Sequence, residues 1–464
     1  MQPKWRILLV VCTGVFVASL DLFIVNIAFP DIQRDFPGTS LAGLSWVLNA
    51  YAIVFAALLV PAGRWADALG RKRTFLTGLV VFTTGSALCA VAPSVGFLVA
   101  ARVVQAMGAA LMVPTSLGLL LPAFPPAERH VAIGIWAASG GVAAAAGPPL
   151  GGLLVEASWR WVFLVNLPVG LIALVAGARV LHEIREESTA RPDLLGAAGV
   201  TAGIGALVIA IVQGPAWGWG GGRVLGLFAL SAVLVAAVAA RSSRHPAPIV
   251  EPQLLRVRSF SVSVAAAALF FAGFAAMLLG SVLFLTGPWH DSVLRAGLEL
   301  APGPATAAAF SVPGARLGAR IGHRATGALG AVLFALGGVW WATHLGAAHD
   351  YAWAFLPGIL IGGAGVGLVN PALTGAAAAS LPPDRFATGA AVLTMGRQIG
   401  TALGVAVLVA LLGTPVTAAD FDPAWLLMLG SAAAAGAAFA ALGPIDAPAA
   451  KPVPAGAMTA RAPA

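Results

Sequence analysis

One carboxylate in this chain stands where a carboxylate is costly. Asp21 lies deep inside a long apolar run, Leu20-Asp21-Leu22-Phe23-Ile24-Val25-Asn26-Ile27-Ala28-Phe29-Pro30. A charge at mid-membrane depth costs about 2.5–3.5 kcal/mol on insertion scales. Such a residue either exchanges protons or ties helices together through a buried hydrogen bond. The complementary charge is Arg102, in Arg102-Val103-Val104-Gln105-Ala106-Met107-Gly108-Ala109-Ala110. Asp21 falls about seven residues before the end of its run and Arg102 about seven after the start of its own, so at 1.5 Å per residue both sit roughly 10 Å below the same surface. Equal depth permits a pair, and Gln105 at i+3 shares the face of Arg102. A neighbouring guanidinium favours ionised Asp21, whereas closure into a drier environment favours the protonated acid. A proton and a cationic ligand would then compete for one site. The alternative for the pair is a bridge that only locks the helices.

Other polar residues stand inside apolar runs. Arg397 and Gln398, in Met395-Gly396-Arg397-Gln398-Ile399-Gly400, are placed at mid-membrane. They meet the chemistry around Asp21 or satisfy backbone carbonyls, with equal weight. With Asn26, Asn49 and Gln105 they are taken as the polar lining of a substrate pocket. The stretch Leu269-Phe270-Phe271-Ala272-Gly273-Phe274 is read as lipid-facing, with a pocket wall as the alternative. The aromatics around Trp159 are expected to anchor an interface, and Glu156 and Glu299 to be solvated at span ends. Cys12 and Cys89 read as small apolar fillers, and the seven histidines show no metal-ligand spacing.

The elements that must position these residues follow from composition. The chain is 59% hydrophobic and 9% charged, with mean hydropathy +0.92, whereas soluble domains carry about 25% charged residues. This is an all-α integral membrane protein. Its net charge of +8 sets orientation and does not imply nucleic acid. No Gly-x-x-x-x-Gly-Lys-(Ser/Thr) loop occurs, so no nucleotide is expected as partner or cofactor. The run after Met1–Arg6 is too long for a cleaved signal and is kept as a first span.

Fourteen spans are expected: near 7–28, 44–62, 74–93, 95–121, 131–155 and 161–180; then 195–213 and 223–240; then 259–286, 297–313, 325–345, 353–379, 388–412 and 424–442. With both termini inside, 20 of the 26 basic residues fall on the cytoplasmic side and four outside, with Arg102 and Arg397 within spans. Losing one span would reverse the later basic loops. Aligning Gly70 with Gly322 pairs Pro61 with Pro313, Arg64 with Arg316 and Lys72 with Arg324, with Ala319 where the first copy has Asp67. That internal repeat divides the chain into a first six-span bundle (1–181), an inserted pair with its linkers (182–257), a second six-span bundle (258–442) and a disordered tail (443–464).

The densest charge cluster is the expected turn Gly63-Arg64-Trp65-Ala66-Asp67-Ala68-Leu69-Gly70-Arg71-Lys72-Arg73. It resembles the signature loop of the major facilitator superfamily, Gly-x-x-x-Asp-x-x-Gly-Arg-(Arg/Lys). The Asp21 stretch, the Arg102 stretch, Trp159–Gly170 and Met395–Gly400 are similar to motifs of its fourteen-span drug:proton antiporter branch, with Phe23 in place of the usual threonine and Ala106 in place of a glycine. Gly147-Pro148-Pro149-Leu150-Gly151-Gly152 resembles the exporter motif, with Ala143 at its first glycine position.

The resemblance implies a major facilitator fold, two six-helix bundles plus two inserted helices, rocking about a cavity lined by the first and fourth spans. It implies export of small hydrophobic or cationic compounds in exchange for protons, by a monomer in the cell membrane that is not an enzyme and needs no cofactor beyond the proton. Asp21 and Arg102 would couple the proton. Gly63, Asp67, Gly70, Arg71 and Arg73 would act as a latch between the halves, or only as an orientation signal, while Gly147, Pro148, Gly151 and Gly152 bend the fifth span. A dedicated exporter of one metabolite and a non-transporting receptor or scaffold are the competing readings.

Overall fold

The computed structural model describes residues 2–125, 128–185, 193–246, 248–249, 251–382, 385–413 and 417–442; the predicted tail 443–464 lies outside them. Fourteen long helices follow one another: α1 (Pro3–Asp35), α2 (Trp46–Leu69), α3 (Arg71–Ala90), α4 (Val95–Ala123), α5 (Arg129–Ala157), α6 (Asn166–Val180), α7 (Leu194–Trp217), α8 (Gly222–Ser242), α9 (Arg258–Thr286), α10 (Pro302–Ile321), α11 (His323–His344), α12 (Leu356–Ala379), α13 (Phe386–Leu412) and α14 (Asp422–Ala440). Among the described residues, thirteen helical stretches are long and apolar enough to cross a membrane. The remaining crossing is α10 with the short helix Val293–Leu300 before it, where the sequence places the span at 297–313. Side-chain oxygens of Ser94, Asp193 and Ser292 accept N–H bonds from Phe97, Gly196 and Arg295, satisfying helix starts that lipid cannot.

Several helices run past their expected ends. The basic stretch 63–73 is not a turn: Gly63 to Leu69 are the last two turns of α2, and Arg71 opens α3. Only Gly70 breaks the helix, at φ +111°, and Gly322 breaks the second copy between α10 and α11 at φ +87°. Both conformations are natural to glycine. At Gly70 space is also short, because an added Cβ would fall 2.4 Å from Oε1 of Glu183. That carboxylate accepts the Lys72 and Arg73 backbone N–H groups at 3.0 and 3.2 Å, capping α3.

Helices α1–α6 pack as one bundle and α9–α14 as another. The bundles meet where α2 lies along α13, where α1 touches α9, and where α5 meets Val293–Leu300 and α10. The inserted helix α7 packs on both α2 and α13, so it covers the seam, and α8 packs chiefly on α7. We call the end carrying Gly70 and Gly322 the basic end, and the opposite one the far end.

Candidate functional site

In the first bundle, close packing of α3 on α4 makes room for a polar cluster. A Cβ on Gly85 would fall 2.7 Å from the Gln105 backbone, and one on Gly108 2.3 Å from the Phe82 nitrogen. Small residues at these points let the backbones touch. Gln105 thereby meets Ser86 of α3, donating from Nε2 to Oγ at 2.7 Å, and the same Nε2 donates to Asp21 Oδ1 at 2.7 Å. Arg102 Nη1 donates to Asp21 Oδ2, and also to Gln105 Oε1 at 2.6 Å. Its Nε donates to the Val47 carbonyl at 3.1 Å, and the guanidinium lies 4.1 Å over the Tyr51 ring. Asn166 of α6 donates to Ser86 Oγ at 3.1 Å and to Asp21 Oδ1 at 3.5 Å. Asp21 is 0% exposed and Arg102 1%. Every charge here has its opposite, and the cluster is sealed within the bundle.

Sequence reasoning singled out Asp21, Arg102 and Gln105 but not Ser86, Tyr51 or Asn166. Asn166 carried a usable signal, since it interrupts the apolar stretch after Trp161. The serine carried none, because its place depends on how closely α3 and α4 approach.

A cavity lies between the bundles, with about 880 Å³ of empty space counting the part open to solvent. Phe23 and Pro148 of the first bundle face Phe271, Phe274, Ile359 and Asn370 of the second across it. Phe271 and Phe274 are therefore cavity wall, correcting the lipid-facing expectation, while Phe270 is fully buried. None of the five expected pocket residues is on this wall. Gln105 belongs to the sealed cluster. Asn26 donates to its own helix at the Leu22 carbonyl, and Asn49 is buried with no partner for its amide among the described residues. Gln398 is buried, and its Oε1 lacks a partner in the described set. Arg397 stands directly behind the wall, its guanidinium 5.3 Å over the Phe271 ring. Asp21 also points away from the cavity while Phe23, two residues on, faces it, so a proton and a ligand do not share one atom in this arrangement.

At the far end the α5 motif forms the seam. Gly147 and Gly151 lie against Phe23 and Ile24 of α1, and a Cβ on Gly152 would fall 2.7 Å from Leu294 Cα. Reciprocally, a Cβ on Gly297 would fall 2.3 Å from the Pro148 carbonyl oxygen. The halves touch backbone to backbone there.

At the basic end, Asp67 accepts from Arg71 at 2.9 Å and Arg71 donates to the Gly118 carbonyl at 3.0 Å, all inside the first bundle. Among the described residues, one link that reaches both halves runs through the linker after α8. Glu251, in the linker after α8, accepts from Arg64 at 2.8 Å and from Arg385 at 3.2 Å. Ile249 and Leu254 beside it are buried to 1% exposure.

Two further expectations change. Trp159 is buried and donates to Asp35 at 2.8 Å, while Trp161 beside it is exposed. Glu299 is buried and accepts from Arg295 at 2.9 Å, close to Asp291 and His349. Arg295 bridges both acids, at 3.2 Å from Asp291 and 2.9 Å from Glu299, so its single charge offsets one of the two.

The geometry just described has known relatives. A model of the Major Facilitator Superfamily matches residues 11–405. The chain belongs to that superfamily. It is 35% identical over 436 residues to the probable actinorhodin transporter of Streptomyces coelicolor, covering 91% of this chain and 75% of that protein. It is 34% identical over 397 residues to the multidrug resistance protein Stp of Mycobacterium tuberculosis, covering 85% and 73%. Its fold resembles that of a bacterial homologue of the human drug peptide transporters PepT1 and PepT2, at TM-score 0.66 and 18% identity over 94% and 97% of the two chains. It is a multi-pass membrane protein, and the superfamily consists of transporters, not enzymes.

Proposed function

We propose that this protein exports small, largely apolar molecules across the cell membrane in exchange for protons. The observation that carries the reading is the sealed cluster around Asp21, an acid with matched partners in a bundle that also forms one wall of an apolar cavity. The similarity to a multidrug resistance protein supports the outward direction of transport. The basic residues gathered with the N-terminus at one end support a cytoplasmic placement of that end. The transporter acts as a monomer.

Coupling passes through α1. Ionised Asp21 is held by Arg102, Gln105 and Asn166. Protonation removes the charge that Arg102 binds and frees α1 to shift against the glycine face at Gly147 and Gly151. Phe23 carries that shift to the cavity. Substrate binding that favours one position of α1 changes the proton affinity of Asp21, and linkage makes the effect reciprocal. The latch at the basic end works through Arg64, Glu251 and Arg385, with Asp67 and Arg71 stiffening the first bundle behind it.

A second reading, export of one metabolite, draws on the relative named for a single compound. Proteoliposomes with an imposed pH gradient test the main one. Accumulation of the neutral dye coumarin 153 should collapse when nigericin dissipates the gradient. Accumulation that ignores the ionophore would reject proton exchange.

A further inference from the structure

Among the described residues, no aspartate or glutamate lines the cavity between the bundles. Asp21, the acid expected to attract cations, is sealed on the other face of α1. The charge that does approach is Arg397, on α13. Its guanidinium lies over the ring of the wall residue Phe271, and Nη2 donates to Thr374 Oγ1 at 3.1 Å. Thr374 is exposed and lies one helical turn from the wall residue Asn370, towards the basic end, so the guanidinium sits beside the cavity, behind Phe271 and next to the turn that carries Asn370. Its Nε is buried and has no partner among the described residues, and no described carboxylate lies within 4.0 Å. An arginine at membrane depth is normally neutralised by an acid or by carbonyls. Here the aromatic face and one hydroxyl leave donor capacity unused.

We propose that Arg397 makes this cavity selective for planar aromatic compounds bearing a negative charge, such as phenolates, carboxylates or sulfonates, over lipophilic cations. The ring system stacks with Phe271, Phe274 and Phe23, and the anionic group takes the open guanidinium edge. The idea rests on the cavity being the transport site and narrows its substrate class.

Two xanthene dyes of similar shape and opposite charge provide the test. Binding of fluorescein (anionic at neutral pH) and rhodamine 123 (cationic) to the full chain in nanodiscs is measured by anisotropy against empty nanodiscs, with coumarin 153 as the neutral reference. Fluorescein should bind roughly tenfold or more tightly than rhodamine 123, about 1.4 kcal/mol per factor of ten. Arg397→Gln should erase that ratio, each dye being read relative to coumarin 153 in the same variant, and Arg397→Lys should restore part of it. If Arg397→Gln fails to fold, the wild-type ratio and Arg397→Lys still decide. Equal or tighter rhodamine binding alongside normal coumarin binding would overturn the charge selectivity and leave the transport reading standing. No binding of any dye would overturn both.

Discussion

The two bundles each carry an arginine at membrane depth and treat it in opposite ways. Arg102 is enclosed by an acid, an amide, a carbonyl and two aromatic rings, with nothing left unsatisfied that the cavity could use. Arg397 has one hydroxyl and one ring, and lies beside the cavity. A buried charge with its counter-charge is an internal switch, set by protonation and closed to ligands. A buried charge without one is an incomplete site, completed by whatever brings the missing anion. In the proposed mechanism the first half holds the energy-coupling device and the second the specificity device.

The comparison breaks first where a partner is removed. Arg102→Ala leaves Asp21 buried without its counter-charge, a change that costs about 3–5 kcal/mol when a buried pair is broken. A large drop in the detergent melting temperature is expected, and the double change Arg102→Ala with Asp21→Asn should recover much of it. Arg397→Ala, by contrast, should leave the melting temperature almost unmoved. Equal losses in the two single variants would erase the distinction.

The seam between the halves comes next. A side chain at Gly297 collides with the Pro148 carbonyl, and overpacking of this kind costs about 1–3 kcal/mol. Gly297→Val should open the far end and raise thiol labelling of a cysteine placed at Ser281 from that side. Unchanged labelling would mean that the far-end contact does not close the cavity.

Smaller effects follow at the basic end. Glu251→Gln removes the acid shared by Arg64 and Arg385, partly exposed pairs worth about 0–1 kcal/mol each. Labelling of a cysteine at Ser311 from the basic end should rise a few-fold without loss of stability.

The smallest effect lies in the inserted hairpin. Burial alone would raise the Asp193 carboxyl, but the Arg241 and Gly196 hydrogen bonds outweigh it and hold the group below the ordinary carboxylate range. A depressed value means that stabilisation is present above the ordinary range and lost as pH falls through it. Acid should loosen hydrogen-exchange protection of α7 and α8 in wild type, and Asp193→Asn should remove that dependence.

Much of this was legible in the sequence because lipid imposes strong rules. Apolar runs revealed the crossings, and equal depth revealed that Asp21 and Arg102 can meet. The helix ends were not legible at 63–73, because charged residues there look like a loop while the backbone stays helical to Leu69. Phe271 and Phe274 were misplaced for a related reason. In an all-apolar helix, lipid and an apolar cavity ask for the same side chains, so hydrophobicity cannot say which face is which. Glu251 went unnoticed because its role depends on two arginines 187 and 134 residues away.

The most direct measurement compares wild type with Asp21→Asn in proteoliposomes, following coumarin 153 in two modes. The variant should lose accumulation driven by the pH gradient but retain gradient-free exchange of labelled for unlabelled dye, because the cavity and Phe23 are untouched. Gradient-driven accumulation that survives in Asp21→Asn would contradict coupling at Asp21, and the proton would have to enter elsewhere.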